Sequence, residues 1–145
     1  MSVTHLTLRA FCQATEVEER VRKAMAFASG SEEVSVERTE GYHGNAILIM
    51  SCALSRRPVI REFFQRLSKE DVEELLRTLD QRLDEDGQLF FRLDKQKAFL
   101  GELAISSGDD CIHVRAKVES YPKRREKALE NARAMLQGLY DRQDK

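Results

Sequence analysis

Gly41-Tyr42-His43-Gly44-Asn45 sets an aromatic ring, an imidazole and a carboxamide between two permissive glycines. These are the residue types with which a loop stacks on an unpaired base and hydrogen-bonds its edge. Two other polar clusters interrupt apolar patterns. Leu93-Asp94-Lys95-Gln96-Lys97-Ala98-Phe99-Leu100-Gly101 carries an ammonium and an amide, and Tyr121-Pro122-Lys123-Arg124-Arg125-Glu126 carries three consecutive cations behind an aromatic. In a nucleic-acid reading Lys95, Lys117, Lys123, Arg124 and Arg125 meet phosphates. Tyr42 stacks on a base, and His43, Asn45 and Gln96 serve base edges or ribose hydroxyls.

Other chemistries find less support. There is no Gly-x-Ser-x-Gly elbow, no Cys-x-x-Cys pair and no His-Glu-x-x-His helix, so acyl transfer and zinc hydrolysis lack their usual signatures. Cys111 and His113 project from one strand face, a spacing that reads as a small apolar residue and a surface imidazole rather than a metal pair. Asp84-Glu85-Asp86-Gly87 resembles a calcium loop only superficially, because Arg82 and Leu93 stand where such a loop needs acids. It reads as a turn. No metal, cofactor or catalytic residue is therefore expected. An RNA-cleaving alternative would use His43 as acid or base with Lys95 or His113 as its partner.

The composition sets the frame. A chain of 145 residues with 41% hydrophobic and 34% charged residues suits one domain, 1–145, with a real core. Its longest apolar runs fall short of a bilayer span, and the N-terminus lacks the pattern of a secretory signal, so a cytoplasmic location is expected. Cys12, Cys52 and Cys111 lie far apart within apolar segments, as buried thiols rather than a disulfide framework. The net charge of −1 argues against indiscriminate coating of nucleic acid, but its distribution is uneven. Residues 69–86 hold three basic against eight acidic side chains, whereas 113–133 hold seven basic against three acidic.

The elements that must position these clusters follow from periodicity. Val3 to Cys12 alternates, with Leu6, Leu8, Ala10 and Cys12 on one side and His5, Thr7, Arg9 and Phe11 on the other. Thr15-Glu16-Val17-Glu18 reads as a capping box for a helix that stops at Gly30. Val34–Glu40 and Ala46–Leu54 read as strands joined by the glycine-flanked loop. Pro58 opens a helix with Phe63 and Phe64 on its apolar stripe, and Ser68 caps the next. Strands are expected over 88–93, 98–105 and 112–119, the last with a basic exposed face, and a final helix from Pro122 with Lys123, Arg124 and Arg125 in its first turn. The class is α+β: two layers, a largely antiparallel or mixed sheet with helices on one face and the other face open to a ligand.

Taken in order, several of these segments resemble an archaeal RNA-binding family with a ribosomal L-five-like fold, whose members are commonly labelled predicted exosome subunits. The matching segments are Arg9-Ala10-Phe11-Cys12 with Ala14-Thr15-Glu16, the Gly41–Asn45 loop, Arg61-Glu62-Phe63-Phe64, Asp84–Gly87, Leu93-Asp94-Lys95-Gln96 with Ala98 and Gly101, and Tyr121-Pro122 leading into Arg125-Glu126. The resemblance covers nearly the whole chain. It implies a non-catalytic RNA-binding protein, an accessory or subunit in RNA processing or degradation that takes single-stranded or irregular RNA. The alternative is a protein-interaction adaptor within a larger RNA-processing assembly.

Overall fold

The computed structural model describes residues 2–40 and 46–143. In chain order the elements are β1 (Val3–Cys12), α1 (Glu18–Ser29), β2 (Ser35–Glu40), β3 (Ala46–Leu54), α2 (Arg57–Gln65), α3 (Lys69–Arg82), β4 (Gln88–Asp94), α4 (Lys95–Phe99), β5 (Cys111–Val118) and α5 (Arg125–Arg142). The strands make one open antiparallel sheet in the order β2-β3-β1-β5-β4, with helices packed on it. This is the expected α+β class. β2 and β3 pair antiparallel from Ser35↔Ser51 to Glu40↔Ala46.

Alternation on the inner strands decides which side is buried. Leu6, Leu8, Ala10 and Cys12 of β1 and Ile112, Val114, Ala116 and Val118 of β5 are buried. Their out-of-phase neighbours, His5, Arg9 and Phe11 on β1 and Arg115 and Lys117 on β5, are exposed, as are Phe90 and Arg92 on β4. β2, at the sheet edge, is exposed at all six positions, and its charges at Glu37, Arg38 and Glu40 discourage pairing with another chain.

The chain divides into two compact units. The first comprises Met1–Leu6, Leu54–Phe91 and Arg115–Lys145. Its core holds an aromatic cluster in which the Phe63 and Phe64 rings meet edge to face at 5.3 Å and Phe91 lies 6.3 and 6.2 Å from them. Each such ring contributes roughly 1.5–3 kcal/mol through burial. α3 packs against α5, burying Leu75 and Leu79 on one side and Ala128, Ala132 and Leu136 on the other. Asp84 accepts from the amides of Asp86 and Gln88 through Oδ1, which makes the expected turn at 84–87. Gly87 is required there twice over. Its φ is 79°, and a Cβ would come within 3.2 Å of the Ala128 side chain.

The second unit comprises Thr7–Ala53 and Arg92–Val114. α1 buries Val21, Ala24, Met25 and Ala28 and ends on Gly30 at φ 75°, the left-handed stop expected there. Its start differs from expectation. Val17 is the N-cap and no side chain caps the helix; Glu16 instead accepts from the Gln13 amide and pairs with Lys95.

Residues 98–105 are the larger departure. A helix, α4, takes the first two residues of the expected strand, Ala98 and Phe99, because the Asp94 carboxylate accepts from the Lys97 amide as an N-cap. Gly101 follows at φ 89°. Only the far end stays extended, where Leu93 bridges Ile105 and Ser106 donates to the Arg92 carbonyl at 2.8 Å. Replacing Asp94 with Ala should lower the unfolding free energy in urea by about 1 kcal/mol, and Asp94→Asn, which keeps an acceptor, should restore most of it. An Asp94→Ala protein as stable as wild type would contradict this cap.

Candidate nucleic-acid interface

The one buried charged side chain among the described residues of the second unit ends in an ammonium. Asp94 starts α4, and the next residue, Lys95, turns inward until it is 3% exposed. Its Nζ lies 2.6 Å from Asp110 Oδ1 and 2.8 Å from Glu16 Oε2, and donates to the Phe11 carbonyl at 3.0 Å. Three donors meet three acceptors, as a buried ammonium requires. Burial would push the lysine pKa down, but the hydrogen bonds to Asp110 and Glu16 more than reverse this and hold it above its usual range. The bond from Lys95 holds the Asp110 carboxyl below its ordinary range against a smaller effect of burial. Lys95, expected on a phosphate, is thus committed inside the fold. Gln96 is exposed and donates to Asp110 Oδ2 at 3.4 Å.

Beside this node runs a surface that motif reading passed over. Phe11 is 37% exposed, with the Arg9 guanidinium carbon 5.4 Å from its ring centre and the His113 ring edge-on at 6.3 Å and 80°. Cys111 Sγ lies 3.7 Å from His113 Nε2. Burial, with Arg92 and Arg9 nearby, holds the imidazole below its ordinary pKa, which favours the neutral ring at pH 7. Arg92 reaches Asp109 at 3.7 Å and the Gly108 carbonyl at 3.4 Å. The signal lay in β1, where Phe11 falls on the polar phase of an alternating strand.

In the first unit the cations separate into two roles. Arg125 opens α5, and its Nη2 donates to the Asp80 carbonyl at 2.7 Å, to Asp80 Oδ1 at 3.3 Å and to the Leu83 carbonyl at 3.2 Å. It satisfies the C-terminal end of α3, where a cation also suits the helix dipole. Lys123 and Arg124 precede α5 rather than forming its first turn; Arg124 is the N-cap, in extended backbone. Lys117, Lys123 and Arg124 are exposed, and their side chains make no ion pair or hydrogen bond among the described residues. Tyr121, just before them, is 91% exposed. Tyr42, His43 and Asn45 lie outside the described residues.

Among the described residues, no group of three or more His, Cys, Asp and Glu side chains is placed to hold a metal ion. Cys111 is buried, and burial is the main cause that raises its thiol pKa; this opposes the thiolate a nucleophile would need.

The fold is α+β, and each of its units offers an exposed aromatic, Phe11 in one and Tyr121 in the other, with cations near it in the chain. The chain belongs to the family described as RNA binding, whose profile matches residues 5–118. It is 38% identical over 144 residues to the RNA-binding protein PAB1135 of Pyrococcus abyssi, covering 92% of this chain and 94% of that one. It is 32% identical over 120 residues to the uncharacterized protein MJ0213 of Methanocaldococcus jannaschii, covering 75% and 80%. Among solved structures, the DUF54 protein Mth689 of Methanothermobacter thermautotrophicus superposes with a TM-score of 0.81 at 38% identity, covering 92% of this chain and 98% of that one.

The Lys95 node has a defined pH signature. Asp110 is depressed in the fold, so its contribution is present above its ordinary 3.8 and is lost as pH falls through the lower folded value. Lys95 is raised, so its contribution is present below its ordinary 10.5 and is lost as pH rises through the higher folded value. Lys95→Met should cost about 2 kcal/mol between those limits, less than the roughly 3–5 kcal/mol of a fully buried pair, because the Asp110 side chain is 59% exposed. The deficit relative to wild type should narrow outside them. Urea titrations across pH that give a constant deficit down to strong acid would show that the pair does not form.

Proposed function

We propose that this protein binds single-stranded or irregularly folded RNA without altering it chemically, as a cytoplasmic accessory or subunit in RNA processing or degradation of the exosome-related kind. The observation that carries the reading is membership of the RNA-binding family over residues 5–118, together with a relative named as an RNA-binding protein. With a net charge of −1, attraction to RNA must be local, and Lys117, Lys123 and Arg124 supply exposed charge that no described carboxylate neutralises. Aromatics beside cations, Phe11 by Arg9 and Tyr121 by Lys123, suit splayed bases better than a regular A-form duplex, whose bases are stacked away from side chains. Tyr42, His43, Asn45 and Gln96 are proposed for base and ribose contacts. Lys95 and Arg125 leave the phosphate set and become positioning residues. The likeness to ribosomal L-five-type domains belongs to the same proposal.

The raised thiol of Cys111 supports a binding role over a nucleophilic one. End-labelled RNA incubated with the protein in chelator should remain intact. Combined Lys117→Ala, Lys123→Ala and Arg124→Ala substitution should reduce the log–log salt slope of RNA binding by about 2, at about 0.7 per phosphate contact. An unchanged slope would place the phosphates elsewhere.

A further inference from the structure

We propose that the exposed side of β1 at Arg9 and Phe11, with His113 and Arg92 beside it, is a nucleobase-stacking site for single-stranded RNA; this rests on the RNA-binding reading above. An aromatic on the solvent phase of an inner strand adds little to the core. Phe11 nevertheless sits there, with the buried Ala10 and Cys12 on either side of it in the chain already serving the inside. Its surroundings are built for a flat ligand. The Arg9 guanidinium lies over the ring at 5.4 Å, and both kinds of group stack on unpaired bases. His113 meets the ring edge at 80° and walls one side.

The ring is also held in place before any ligand arrives. The Phe11 carbonyl takes one of the three bonds of the buried Lys95 ammonium, so the strand end that carries the ring is pinned and little order remains to be imposed on binding. A groove of about 440 Å³ runs beside Phe11, lined also by Gln13, Gln96 and Asp110, within the roughly 300–1,000 Å³ typical of clefts that hold a small ligand. Charge orients the chain across it. Glu16 and Asp110 share the single Lys95 ammonium and Asp109 lines the same groove, a net negative side that turns phosphates away. Arg92, 44% exposed and only loosely paired with a fully exposed Asp109, can exchange that partner for a phosphate next to the stacked base.

The protein contains no tryptophan, which allows a direct test. A Phe11→Trp variant carries a single indole at the proposed contact. Its emission should be quenched, saturably, by an adenine oligoribonucleotide and unaffected by the same backbone made abasic. Phe11→Leu, which keeps apolar bulk, should bind the adenine oligomer roughly 5- to 150-fold more weakly than wild type by anisotropy, the loss of one stacked base. If Phe11→Leu fails to fold, the quenching result alone decides. Emission unchanged at saturating RNA, or equal affinity of wild type and a folded Phe11→Leu, overturns the stacking site while leaving RNA binding intact. Absence of any RNA affinity in wild type overturns the RNA-binding reading itself.

Discussion

A buried ammonium needs three acceptors, and the Lys95 group collects them from three separated stretches of chain: the carbonyl of Phe11 at the end of β1, the carboxylate of Glu16 just before α1, and the carboxylate of Asp110 just before β5. The desolvation cost of that charge is met only if all three stay in place, because a lysine left unpaired at 3% exposure is strongly disfavoured. The node therefore ties a strand end, a helix start and a loop into one geometry. The residues it fixes, Phe11 and Cys111 above all, border the exposed aromatic and basic surface of the second unit. A cation that sequence reading assigns to the ligand instead holds in place the surface proposed to meet the ligand.

The first unit repeats this division of labour with Arg125. One cation of a run of three turns back to close the end of α3, and its neighbours Lys123 and Arg124 remain in solvent. Net charge near zero is compatible with RNA binding on these terms. What matters for a polyanion is the local placement of cations that have no carboxylate to answer, not the net charge.

Much of the fold was legible in the sequence. Strict alternation marked β1 and β5, the Ser68 cap and Pro58 marked the two helices between β3 and β4, and Gly30 and Gly87 marked turns at the positions where positive φ occurs. α4 was legible too and was misread. Asp94 followed three residues later by an amide it can cap, with Gly101 beyond, is a short helix signal that the apolar run Ala98-Phe99-Leu100 masked. The apparent capping box at Thr15 does not form because the helix begins later, with Val17 as its N-cap and Glu18 as its first residue. The fates of Lys95 and Arg125 were not legible at all. Their partners, Glu16 and Asp110 for one and Asp80 and Leu83 for the other, lie up to tens of residues away, and nothing local distinguishes a cation bound for a phosphate from one bound for a carboxylate.

The central claim is that RNA meets the exposed strand phases and the segment before α5, not the helices α1 and α3. Photo-cross-linking of 4-thiouridine-containing single-stranded RNA to the intact protein, with mass-spectrometric mapping of the adducts, tests it most directly. The account predicts adducts at Phe11, His113 and Tyr121 and in residues 41–45. Adducts confined to α1 and α3, or none at RNA concentrations that saturate binding, would contradict it.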